Sequence, residues 1–140
     1  MPLKTTHNNI LTAIKAKIEA LTSIKSVTIG ELKVLPPDKF PACYLIPARD
    51  EEDDHTVSRI LHKFRTKIII ITRSPATDPL TGMSTLIDLA GDAHDKLLED
   101  RTLGGKCEIL YFIGRDFDYS IGQDYNLFWC IITVEPWKAI

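Results

Sequence analysis

The chain has 140 residues, of which 44% are hydrophobic and 26% charged, with a formal net charge of -2. That length and balance describe one folded domain, 1–140, able to bury a core without a disulfide or metal staple, and they exclude a disordered or membrane-embedded chain. A near-neutral total creates no global basic field, so affinity for nucleic acid would have to come from a local patch.

Cys43, Cys107 and Cys130 are far apart, and each sits in an apolar, strand-like setting. They are expected as buried free thiols in a reducing compartment. Residues Met1 to Ile10 carry no apolar run of signal-peptide length, and nothing reaches the roughly 18 apolar residues of a membrane span, so folding in the cytoplasm is expected.

In chain order, Ile10, Leu11, Ile14, Ile18 and Leu21 form an apolar stripe that predicts a helix from Thr6 to Leu21, with Thr5, Thr6 and Asn8 as candidate caps. A short strand is expected at Ser26–Ile29, ended by Gly30. Pro36-Pro37 interrupts regular structure, and Pro41 opens a strand to Ile46. The charged run Arg49 to Asp54 cannot be buried and is expected as a mobile loop or hairpin end. From Val57 to Thr72 the residues alternate: Ile60, Phe64, Ile68 and Ile70 fall on one face, while Arg59, Lys63, Arg65 and Lys67 fall on the other. Asp78-Pro79 is expected to cap and open a second helix.

That helix carries Met83, Leu86, Ile87, Ala90, Leu97 and Leu98 on an apolar side, while Asp88, Asp92, Asp95 and Glu99 repeat along another as an acidic ridge. It ends near Asp100–Gly105, where glycine permits left-handed backbone. Two apolar strands, Lys106 to Phe117 and Tyr125 to Glu135, close the chain, with Tyr119 to Gly122 read as a turn. This order favours an α+β fold: an antiparallel sheet of about four to five strands with both helices packed on one face. Because neighbours alternate across a strand, Tyr111, Ile113, Trp129 and Ile131 cannot share a face with Leu110, Phe112, Phe128, Cys130 and Ile132. Two helices cover one set, so the other needs a partner subunit or curling of the sheet.

Catalytic signals are weak. The chain has no nucleophile elbow and no glycine-rich phosphate loop, and Asp116 with Asp118 reads as a strand end. His94 lies among Asp88, Asp92 and Asp95 without a second histidine at helical spacing, so no metal or other cofactor is expected. The candidate contact residues are Arg59, Lys63, Arg65 and Lys67 on the strand and Asp88, Asp92, Asp95 and Glu99 on the helix. The basic strand has three readings: solvation of an open sheet, pairing with the acidic ridge of a neighbouring subunit, or phosphate contact. No aromatic shares its face as a base-stacking platform.

Read together, the first helix from Ile10 to Leu21, the strand Val27 to Gly30, the proline-led segment Phe40-Pro41-Ala42-Cys43-Tyr44-Leu45-Ile46, the helix exit Leu97-Leu98-Glu99-Asp100-Arg101-Thr102-Leu103-Gly104-Gly105 and the closing strand Leu127 to Glu135 resemble the tail terminator or tail completion proteins of tailed bacteriophages. The resemblance implies two helices on an antiparallel sheet and a ring, commonly a hexamer, on the head-proximal end of the tail tube. It implies no catalytic residues. The implied partners are further copies of the chain, the tail tube protein and the head connector, with DNA only as passing cargo and the virion tail or neck as location. The alternatives are a neck or head-completion protein of the same virion, and a small nucleic-acid-binding module using the basic strand.

Overall fold

Ile10, Ile14 and Ile18, spaced one turn apart, are fully buried and anchor the first helix, α1 (Leu3–Glu19). The fold is that of a computed structural model, which describes residues 2–30, 35–56, 58–75, 77 and 79–140. The helix begins at Leu3 with Pro2 as its N-cap and without a side-chain cap hydrogen bond. Thr5, Thr6 and Asn8 therefore lie inside it, and the Thr6 amide already bonds back to the Pro2 carbonyl at 3.1 Å. Proline suits this boundary because its extended ψ starts the helix and its missing N–H costs nothing there.

Strands β1 (Ser26–Ile29), β2 (Ala42–Thr56), β3 (Arg59–Pro75), β4 (Ile109–Ile121) and β5 (Tyr125–Ala139) form one sheet in the order β1-β2-β3-β5-β4. The pairings are antiparallel except β1 with β2, which is parallel. The expected α+β architecture is present, with five strands and one parallel pair at its margin. The proposed start of a strand at Val57 and the cap at Asp78 lie outside the described residues.

The second helix, α2 (Pro79–Leu98), packs on β3 and β5, and α1 packs on β1 and α2. Between them and the sheet lies the main core, including Cys43, Leu45, Phe64, Ile68, Ile70, Leu86, Ala90, Leu97, Leu110, Cys130, Ile132 and Val134. Ile87 and Leu98, expected on the apolar side of α2, are exposed; Leu89 and Ala93 take the buried positions instead, because the stripe is rotated toward α1. A close approach fixes the start of α2: a Cβ on Gly82 would collide with the Phe128 ring, and the Gly82 carbonyl accepts a 3.0 Å hydrogen bond from Thr72 Oγ1.

Two expectations are corrected. Arg49 to Asp54 is part of β2, paired residue by residue with β3 from Arg49↔Arg65 to Asp54↔Ile60. Its side chains are largely exposed, as the charge requires, but the backbone ladder to β3 holds them in a strand, with Lys63 opposite Glu51 and ion-paired to Asp53. Asp116 and Asp118 likewise stand within β4, which runs on to Ile121 because Tyr119↔Phe128 and Ile121↔Asn126 extend its pairing with β5.

The second face of the sheet is partly covered from within. Tyr44, Ala42 and Ile69 form a smaller cluster, with Leu35, Phe40, Ile46, Ile71, Trp129 and Ile131 packed against it. Leu35 and Phe40, which precede β2, thus join Trp129 and Ile131 in packing on the face opposite the helices.

Candidate functional site

The exit from α2 is held by one carboxylate. Asp100 accepts from the Thr102 amide at 3.1 Å, from the Gly104 amide at 2.8 Å and from the Thr102 hydroxyl at 2.6 Å. These bonds hold its carboxyl below the usual carboxylate range, the Thr102 hydroxyl contributing most. Leu103, Gly104 and Gly105 all have positive φ, and Leu103 is buried despite the strain of a left-handed non-glycine residue. This turn delivers the chain to β4 and fixes where that strand begins.

From Ile113 onward every residue of β4 is exposed, on both faces. Phe117, Tyr119 and Ile121 are 42%, 58% and 58% exposed, and Ile113 is 49% exposed. Register explains the distribution. Phe112 pairs with Val134, but Gly114 pairs with Thr133, so Ile113 is an inserted, unpaired residue at a bulge. Beyond it, Phe117 and Tyr119 oppose Cys130 and Phe128 on the helix face, past the area α2 covers, while Asp116 and Asp118 oppose Ile131 and Trp129 on the other. β4 is the last strand of the sheet, so among the described residues its outer backbone groups have no strand partner.

The opposite edge has a different character. β1 pairs only with Ala42 to Leu45, which leaves the remainder of β2 as an edge fringed by Asp50, Glu51, Glu52, Asp53 and Asp54. Like charges in such a row oppose edge-to-edge association.

The predicted basic strand is not a free cationic surface. Lys63 Nζ lies 2.8 Å from Asp53 Oδ2 and 4.5 Å from the Trp137 ring centroid. The Asp53 hydrogen bond raises the Lys63 pKa above its ordinary value. Arg65 donates from Nε to Glu135 Oε2 at 2.9 Å, and its Nη2 is also 2.9 Å from that oxygen. Arg59 donates from Nη2 to the Ala139 carbonyl at 2.8 Å, and Lys67 is exposed. The acidic ridge, Asp88, Asp92, Asp95 and Glu99, is exposed along α2, with Glu99 3.4 Å from Lys96. Lys63, Arg65 and Lys67 thus lie on one side of the sheet and the ridge on the other, so within one subunit they do not meet. His94 packs against Phe112, ring centroids 4.3 Å apart, with Nδ1 3.4 Å from Asp95 Oδ1.

Sequence reasoning missed the β4 edge because it ended the strand at Phe117. The alternating Phe117, Tyr119 and Ile121 carried the signal, but Asp118-Tyr119-Ser120 imitates turn chemistry. It also missed a side-chain group formed by Asp50, Glu52 and His62, whose ligating atoms lie within 4.8 Å of one another; only strand register brings His62 opposite Glu52. The chain matches no protein-family model, and no curated protein matches it. Among the described residues no helix is long and apolar enough to cross a membrane.

Proposed function

We propose that the chain is a ring-forming virion-assembly subunit of a tailed bacteriophage or prophage, which caps the tail tube, ends its polymerisation and presents the surface on which the head connector docks. The observation that carries this proposal is the uncovered segment Ile113–Ile121 of β4, where Phe117, Tyr119 and Ile121 are exposed beside Arg115 on one face of an edge strand. Burying a fully exposed large aliphatic or aromatic side chain contributes roughly 1.5–3 kcal/mol, so the half-exposed Phe117, Tyr119 and Ile121 supply part of the drive for association.

In a ring β4 meets a surface other than itself, since a contact between two unlike surfaces, repeated by rotation, closes when the angle divides the circle. The exposed acidic ridge of α2 and the exposed Lys67 then fall on different sides of each subunit, where they orient neighbours. The resemblance of Phe40–Ile46, Leu97–Gly105 and Leu127–Glu135 to tail terminator proteins supports the tail and neck setting. The proposed role involves no catalytic step and no cofactor, and its seat is the virion, assembled in the bacterial cytoplasm. A neck or head-completion role differs only in which ring the subunit meets. A nucleic-acid-binding role has less support, because Asp53 and Glu135 already neutralise Lys63 and Arg65.

Light scattering on the parent and on Phe117→Lys/Tyr119→Lys, alone and with tail tubes, tests the proposal. The parent is expected to give a closed oligomer and to limit tube length. The double variant stays monomeric with stability changed by about 0.5 kcal/mol or less, since both side chains are exposed. A parent that stays monomeric beside tubes and leaves their length unchanged refutes the proposal. Steeply salt-dependent binding to DNA of any sequence would favour the nucleic-acid module.

A further inference from the structure

Asp50, Glu52 and His62 converge on the helix face of the sheet, where β2 has passed the reach of β1. Asp50 and Glu52 stand two apart on one strand and so share a face, and His62 is directly opposite Glu52 on β3. His62 Nδ1 is 3.2 Å from Asp50 Oδ1 and 3.7 Å from Glu52 Oε1. For ligand bonds of about 2.0–2.2 Å, neighbouring ligands around a tetrahedral ion stand about 3.3–3.6 Å apart. The two contacts of His62 thus already have nearly that spacing, and all three ligating atoms lie within 4.8 Å of one another.

The ligands also differ in burial, which a merely solvated acidic edge would not require. The His62 side chain is 6% exposed and its ring stacks on Phe64 at 5.5 Å, while the Glu52 side chain is 55% exposed and open to solvent. One ligand is thus fixed by packing, and the other side of the site remains accessible. A second observation borders it. The ring of His7 on α1 packs on the same Phe64 at 4.6 Å, and its Nε2 is buried without a hydrogen-bond partner. Burial lowers the His7 pKa, and the charge of Asp50 opposes the shift.

We propose that Asp50, Glu52 and His62 form a binding site for a borderline divalent cation such as zinc, cobalt or nickel, with water completing the coordination. One imidazole nitrogen and two carboxylates suit such ions better than calcium or magnesium, which take oxygen ligands. The cation bridges β2 to β3 where β2 is an edge, and cancels charge on the acidic fringe. The proposal stands apart from ring formation.

Chelator-stripped full chain titrated with zinc chloride by calorimetry and with cobalt chloride by visible absorption tests it. One saturable equivalent per chain and cobalt bands of four- to six-coordinate nitrogen–oxygen type are expected. Glu52→Gln and Asp50→Asn, which leave the packed histidine in place, should each weaken binding about tenfold or more, and Asp92→Asn on the α2 ridge should leave it unchanged. No saturable binding, or affinity that ignores both cluster substitutions, or equal loss with Asp92→Asn, would overturn the proposal.

Discussion

Arg65 and Glu135 are locked together across β3 and β5: Nε and Nη2 of the guanidinium each lie 2.9 Å from Glu135 Oε2. The other carboxylate oxygen, Oε1, accepts from Trp137 Nε1 at 2.9 Å, so both oxygens of a side chain only 8% exposed are satisfied. The pair belongs to the monomer's own architecture. A buried carboxylate is tolerated only with its partners in place.

Replacing Arg65 by Met should therefore destabilise the fold by about 1–3 kcal/mol, because it leaves Glu135 charged with only the Trp137 donor. Arg65→Glu should cost more, and Lys67→Glu, at an exposed position, should change stability by about 0.5 kcal/mol or less. Denaturant midpoints of the three variants at neutral pH check the order. Equal midpoints for Arg65→Met and the parent would mean that solvent replaces the guanidinium at Glu135.

The carboxyl of Asp100 gives a pH signature. Its pKa is lowered in the folded state, first by the Thr102 hydroxyl and then by the Gly104 and Thr102 amides. The folded chain thus binds fewer protons here than the unfolded one across that interval, and stability rises with pH through it. The contribution is whole above the ordinary carboxylate range and is lost as pH falls through the lowered value. Asp100→Asn keeps an acceptor but loses the charge. The midpoint gap between parent and variant should be widest above the ordinary carboxylate range and close as pH falls through the lowered value, and a gap that is flat with pH would exclude the charge as its source.

The cysteines should be inert while the chain is folded. Burial pushes the thiols of Cys43 and Cys107 up to about 12 and that of Cys130 up to about 11. At about pH 8 less than about one part in 1,000 of each is thiolate, the reactive form. A colorimetric thiol reagent should titrate Cys43, Cys107 and Cys130 at once in denaturant and only slowly without it. Rapid native labelling would show that the strands bearing them open on the timescale of the assay.

The local elements were legible in the residues themselves. Isoleucines at helical spacing specify α1, alternation from Ile60 to Ile70 specifies β3 and its two faces, and glycines after Leu103 allow the exit from α2. Such patterns need only neighbours a few positions away, so the α+β class follows from them. What lay beyond reach was register and company. Arg49 to Asp54 is a strand because β3 supplies a backbone ladder and the counter-charge of Lys63, Lys63 and Arg65 are neutralised because register sets Asp53 and Glu135 beside them, and the apolar surplus sits on β4 because its pairing with β5 runs on to Ile121. A charge or an apolar residue has a fixed chemistry, but whether it is paired, covered or open depends on residues far along the chain, as Arg65 and Glu135, 70 positions apart, show by coming together only in the folded sheet.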